Sequence, residues 1–299
     1  MGTARSTLAD KKIQLANVLV ATDFSPVSDR ALDYAISLAR RYDSHILLTH
    51  VISGDSYPLA APEVTVGLVE SQRRAAENKV QEMLFSGRLN DIPYDVLIEE
   101  GALWPAIDKL IEKHAIDLVV VGTRGIGAVQ KLVIGSGAEQ IFRQCARPVL
   151  TVGPGVNGGK SPGVIFKHIL FPTDFGLSCE REAAYAFSIG QEHNATVTML
   201  HVVRHLDDYS DDGLVLRRET VKNQLQQLVP TGAEAWCEIK LRLAVGDPAA
   251  MILQYAKETE ADLIVMGAKA RGGLAAHVPG TTAYRVASKA HCPVLTVRS

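Results

Sequence analysis

Gly122, Gly125, Gly135 and Ser136 stand in the order Gly-x2-Gly-x9-Gly-Ser. Glycines let a backbone turn at positive φ and approach a phosphate closely, and a serine where a helix starts adds its hydroxyl to free amides and a favourable dipole. Such a loop suits the cradling of a polyphosphate. The same glycines would also let a helix pack tightly on a strand, so an architectural role stays open. Arg124 lies inside the loop and could neutralise phosphate charge, although a loop arginine is often simply solvated. Two aspartates, Asp23 and Asp174, each follow a short apolar run. They either present a carboxylate to a ligand or only order a turn.

The elements that must position these residues can be read from the apolar pattern. Segments 17–22, 44–52, 94–98, 117–122 and 149–152 are short apolar runs and predict strands, with helical patterns between them. Ser25-Pro26 predicts an N-cap followed by an N1 proline, and Ala31, Leu32, Ala35, Ile36, Leu38 and Ala39 then form one apolar stripe. Repeated strand-helix units with nearly continuous apolar strands predict a doubly wound, mainly parallel α/β sheet covered on both faces. In such sheets ligands bind outside the carboxyl ends of the strands, which is where Asp23, Asp174 and the glycine loop fall.

The chain of 299 residues contains this pattern twice. Asn17 to Phe24 matches His168 to Phe175, Ile116 to Gly122 matches Ala261 to Gly267, and Arg147 to Val152 matches Cys292 to Val297. The later pairs are more closely spaced than the earlier ones, so a middle segment is shorter in the second copy, as expected of a loop after duplication. The boundaries read as a first domain at 14–153, a Gly/Pro-rich linker at 154–164 and a second domain at 165–299. The linker holds Gly159-Lys160-Ser161, the end of a P-loop, but Pro154 stands where the first glycine is required and a strand-like run follows. That motif is rejected.

A formal charge of -2 gives no field that would gather nucleic acid or an anionic membrane, so neither is expected as a partner. Cys145, Cys179, Cys237 and Cys292 share no metal-ligand spacing and read as reduced thiols. No apolar run approaches the ~20 residues of a membrane span, and the first residues are polar, so a cytoplasmic location is expected. No metal site is expected, and His50, His201, His277 and His291 read as scaffold or solvent-facing residues. No nucleophile, paired carboxylates or other catalytic set can be assembled at the loop edges, so no catalytic residue is expected.

On these motifs the chain resembles the universal stress protein family in a tandem, two-domain form. The resemblance rests on the complete Gly-x2-Gly-x9-Gly-Ser loop, on the aspartate after the first strand, and on the His50-Val51 and His201-Val202 pairs. It implies two five-stranded Rossmann-like sheets in strand order 3-2-1-4-5. It also implies ATP, or ADP or another adenine nucleotide with Mg, as ligand. Thr22 and Asp23 would then lie at the ribose or adenine side, and Val51 would meet the adenine through its backbone. Gly122, Arg124, Gly125, Gly135 and Ser136 would surround the phosphates. The resemblance further implies an intrachain pseudo-dimer through the last strands, with a homodimer of chains also open.

The second copy departs from the pattern, because Ala270 replaces the second glycine and Pro279 precedes Gly280. Asp174, Val202, Gly267, Gly280 and Thr281 keep the frame of a weaker site. The function expected is therefore that of a nucleotide-dependent sensor or interaction module of the stress response, with at most slow ATP hydrolysis. The rival readings are a scaffold that binds no nucleotide and a hydrolase acting at a nucleotide's α-phosphate.

Overall fold

In the computed structural model the described residues are 12–53, 62–123, 134–156, 166–204, 211–268 and 281–298. Arg124, Gly125, Ala270, Pro279, Gly280 and the Gly159-Lys160-Ser161 stretch lie outside them. The chain divides into two compact units. One comprises Gln14–Pro154 with Gly158–Val164, and the other Ile165–Ser299 with Met1–Ile13 and Gly155–Asn157.

In the first unit β1 (Asn17–Ala21), α1 (Pro26–Tyr42), β2 (His45–Ile52), α2 (Pro62–Phe85), β3 (Tyr94–Glu100), α3 (Leu103–Lys113), β4 (Leu118–Gly122), α4 (Ser136–Gln144) and β5 (Val149–Val152) alternate. Its strands are ordered β3-β2-β1-β4-β5, with parallel pairing throughout. In the second unit the elements are β6 (His168–Pro172), α5 (Cys179–His193), β7 (Thr196–Val203), α6 (Asp211–Gln227), β8 (Ile239–Val245), α7 (Pro248–Glu258), β9 (Leu263–Ala268), α8 (Thr282–Lys289) and β10 (Val294–Arg298). The order β8-β7-β6-β9-β10 repeats the first, again parallel. Each unit thus has the doubly wound α/β class and the order 3-2-1-4-5, which reverses direction between its first and fourth strands.

The strands are apolar because both their faces are covered: Val18, Leu19 and Val20 of β1 and Val119 and Val120 of β4 have no exposed surface. The stripe read from α1 is the face it buries, with Ala31, Leu32, Ala35, Ile36, Leu38 and Ala39 all in the core. Ser25 caps that helix through its hydroxyl, which accepts the Ser28 N–H, and Pro26 occupies the first turn. The first described residues belong to the second unit. The Ile13 N–H donates to Ser188 Oγ at 3.1 Å, and Lys12 pairs with Glu192, both acceptors lying on α5.

Candidate functional site

The chain leaves β1 through Thr22, Asp23 and Phe24 into the cap of α1. The Thr22 N–H extends the ladder to Thr49 O at 2.9 Å, while its hydroxyl accepts the Phe24 N–H at 3.0 Å and lies 3.1 Å from Ser28 Oγ. Asp23 Oδ1 accepts the Ser25 N–H at 3.0 Å, so one carboxylate oxygen orders the turn. Phe24 adopts φ 59°, a left-handed conformation that costs a side-chain-bearing residue about 1–2 kcal/mol. Its ring meets that of His50 at a centroid distance of 4.6 Å, and His50 Nδ1 lies 2.8 Å from Thr22 O. A carbonyl oxygen only accepts, so Nδ1 carries the proton. His50 is therefore a brace on the aspartate turn, consistent with a scaffold role.

Val51 owes its position to a difference in strand length. The β1–β2 register ends at Ala21 with Thr49, whereas β2 runs on beside β3 to Ile52. Along a strand, successive residues turn their N–H and C=O to opposite edges. Thr49 O faces β1, where it accepts the Thr22 N–H, and Ile52 O faces β3, where it accepts the Gly101 N–H. Val51 therefore presents a backbone donor and acceptor to the β1 side, beyond the point where β1 has turned away. That donor-acceptor pair is the shape of an edge that can read a flat heterocycle such as adenine.

The glycine loop begins against the same helix start. A Cβ on Gly122 would lie 2.8 Å from Ser28 N and 2.9 Å from Val27 C, so this position admits only glycine because the first turn of α1 packs directly on the end of β4. Ser28 thus touches both β1's exit through Thr22 and β4's end through Gly122. The loop returns at Ile134, which is buried, and at Gly135, whose N–H donates to Thr123 O at 2.6 Å while the Thr123 N–H donates to Val152 O. Gly135 is the N-cap of α4 and offers its first-turn amides no side-chain acceptor, and Ser136 is an exposed N1 residue. The helix start leaves its first-turn amides and dipole without a side-chain cap.

The second unit copies the turn closely. The Thr173 N–H reaches Leu200 O, the Gly176 N–H donates to Asp174 Oδ1 at 3.0 Å, Phe175 has φ 56°, and His201 Nδ1 lies 2.9 Å from Thr173 O. Val202 repeats the offset of Val51, since β6 ends at Pro172 beside Leu200 and β7 continues to Val203. The glycine end differs. A Cβ on Gly267 would lie 2.7 Å from the carboxyl carbon of Glu182, a buried side chain of α5 that accepts from Ser178 Oγ at 2.6 Å. At α8 Thr281 is the N-cap, and its own hydroxyl accepts the Tyr284 N–H. Sequence reasoning missed Phe24, Ser28 and Glu182. The repeated Phe24 and Phe175 were visible signals, and Glu182 interrupts an apolar stripe at the place of Ala31.

All four cysteines are free thiols, and burial pushes the Cys292 thiol up to about 12. Among the described residues no helix is long and apolar enough to cross a membrane, and no group of three His, Cys, Asp or Glu residues could hold a metal ion.

The fold defines a tandem doubly wound α/β protein whose strand order reverses once in each unit, the kind of point at which such sheets bind ligands. The universal stress protein family model matches residues 15–153 and 165–298, and the chain belongs to that family. It is 25% identical to a universal stress protein of Mycolicibacterium smegmatis over 94% of this chain and 96% of that one. It is also 35% identical to a shorter one of Methanocaldococcus jannaschii over 45% of this chain and 83% of that one. A universal stress protein structure from Archaeoglobus fulgidus has the same fold, with TM-score 0.69, 19% identity and coverage of 96% of this chain and 97% of that one.

Proposed function

We propose that this chain is a cytoplasmic stress-response protein that binds ATP, or a related adenine nucleotide, in its first domain and acts as a nucleotide-dependent sensor or interaction module. The proposed domains are 14–153 and 165–299, joined by a linker at 154–164, with the two domains paired within the chain. The observation that carries the reading is the Val51 backbone pair, offered by β2 past the end of β1, with β1 and its exit through Asp23 lying between β2 and β4, the strand that starts the glycine loop.

The adenine edge would lie on the Val51 N–H and C=O. Asp23, fixed by the Ser25 N–H, would take the ribose hydroxyls. The phosphates would lie over Gly122, Arg124, Gly125 and the start of α4 at Gly135 and Ser136, where free amides and the helix dipole favour an anion. Mg2+ would enter as the counter-ion of those phosphates. This arrangement binds and orients without a dedicated chemical step, so any turnover of ATP is expected to be slow.

Asp23→Ala and Asp174→Ala test the reading as a pair. In calorimetric titrations of ATP into protein stripped of nucleotide, Asp23→Ala is expected to weaken binding at least about tenfold, the loss of one charge-assisted hydrogen-bonding group. Asp174→Ala is expected to leave the isotherm unchanged. An unchanged isotherm for Asp23→Ala would remove the proposed ribose contact and the site with it.

A further inference from the structure

Trp104 is the second residue of α3, and the first turn of that helix is anchored on two sides. On one side β3 pairs with β2 as far as Glu100 beside Ile52, and the Gly101 N–H donates to Ile52 O at 3.0 Å, so α3 starts two residues beyond a contact with the neighbour of Val51. On the other, a Cβ on Gly137 would lie 3.0 Å from Leu103 Cδ2, so the same turn packs on the first turn of α4. Side chains of a helix lean toward its N-terminus, so an indole at the second position reaches over the carboxyl ends of the strands. Among the described residues no ring and no hydrogen bond engages that indole, and Trp104 is half-buried outside the core.

We propose that Trp104 stacks on the face of the adenine, so that the base is read along its edge by the Val51 backbone and across its ring by an indole. This deepens the nucleotide reading of the first unit and rests on it. In the strand order β3-β2-β1-β4-β5 the chain steps one way from β1 to β3 and the other way from β3 to β5, and right-handed crossovers then place α1 and α3 on opposite faces of the sheet. A flat ring continuing the sheet at Val51 has the Asp23 turn toward one face and Trp104 toward the other. Tryptophan suits such a rim, because its apolar body covers a base while its N–H stays within reach of water.

The second unit lacks this ring. The second residue of α7 is Ala249, 1% exposed, and the helix start before it is occupied by the Asp247 carboxylate, which accepts the Ala250 N–H and holds Arg285. That unit keeps the backbone offset at Val202 but places no aromatic side chain at this position to lie over a base. The preference for the first unit therefore has a source at the adenine end, separate from the glycine loops.

The test combines tryptophan emission with calorimetry as ATP is titrated into the stripped full-length chain. The sequence has two tryptophans, Trp104 and Trp236, so the source of any quenching is found by replacing one at a time. A stacked purine quenches an indole, and the expected result is quenching in wild type and in Trp236→Phe that vanishes in Trp104→Phe. Trp104→Leu keeps an apolar side chain without a ring and is expected to weaken ATP binding at least about fivefold, the lower end of a base-stacking contribution, while Trp104→Phe stays within about threefold of wild type. If the leucine variant fails to fold, as its urea midpoint would reveal, emission and the phenylalanine variant decide. ATP binding to wild type without quenching overturns the stacking, and so does quenching that survives in Trp104→Phe. Affinity unchanged in both Trp104 variants, or weakened equally in both, overturns it as well. In each of these cases wild type still binds ATP and the site stands. No binding of ATP to wild type contradicts both.

Discussion

A methyl group on Gly122 would come within 2.8 Å of Ser28 N and 2.9 Å of Val27 C, and neither atom is the tip of a side chain that can swing aside. Gly122→Ala is therefore expected to destabilise the chain by about 1–3 kcal/mol, the usual cost of overpacking, as read from the urea midpoint. A midpoint unchanged from wild type would contradict the packing account. Gly267 is crowded instead by the end of one side chain. Gly267→Ala should be destabilising alone but nearly neutral when Glu182 is also alanine, a coupling that a double-mutant cycle measures directly. Equal costs in both backgrounds would show that Glu182 does not fill that space. These geometries also settle which substitution probes binding. A bulky residue at position 122 attacks the helix–strand contact first, whereas Asp23 faces the carboxyl edge.

The glycine at 122 was legible in the sequence, but its reason was not: spacing alone could not separate phosphate approach from helix packing, and the packing contact proves to be real. Glu182 is a harder case. It stands where α1 has Ala31, and the later start of α5 creates the volume it fills.

At the level of elements, apolar periodicity located the strands to within a residue or two, because burial on both faces leaves no room for polar residues. β3 shows the largest difference. It continues two residues past the expected Ile98, to Glu100, since it lies at the edge of the first unit's strand order and tolerates an acidic end. The cap at Ser25 was also legible, because a cap is local chemistry.

The ion pair that ties α7 to α8 was not legible. Asp247 caps α7 through the Ala250 N–H at 2.9 Å and holds Arg285 of α8 at 2.7 and 2.8 Å. The hydrogen bonds from Arg285 and then from the Ala250 N–H draw its carboxyl from 3.8 down to about 2. A depressed folded-state value means stability that is present above the unfolded value and lost as pH falls through the folded one. Asp247→Asn retains a capping side chain but not the charge. It should lower Tm at pH 7 and match wild type at pH 2, with the gap closing between about pH 4 and 2, as scanning calorimetry would follow. A gap independent of pH would assign the effect to the cap alone.

At the scale of the molecule, duplication preserved the frame and let the two edges diverge. Phe24 and Phe175, His50 and His201, and the left-handed helix ends at Asp43 and Asn194 recur at matching places, so the turn that carries each aspartate was kept with its brace. The glycine ends went separate ways: the first unit retains a helix start without a side-chain cap, while the second acquired Glu182, a capping Thr281 and the Asp247–Arg285 clamp. On this account one unit takes the nucleotide and the other adds packing and capping contacts of its own. The residues before β1 join this division, since Lys12 and Ile13 are held by α5 of the second unit.

The most direct test of that division is photolabelling of the stripped chain with an azido-adenine analogue of ATP, followed by peptide mapping. The account expects label on the β2 peptide that contains Val51, competed away by ATP, and little on the β7 peptide that contains Val202. Equal labelling of the two peptides, or label that ATP does not displace, would contradict it.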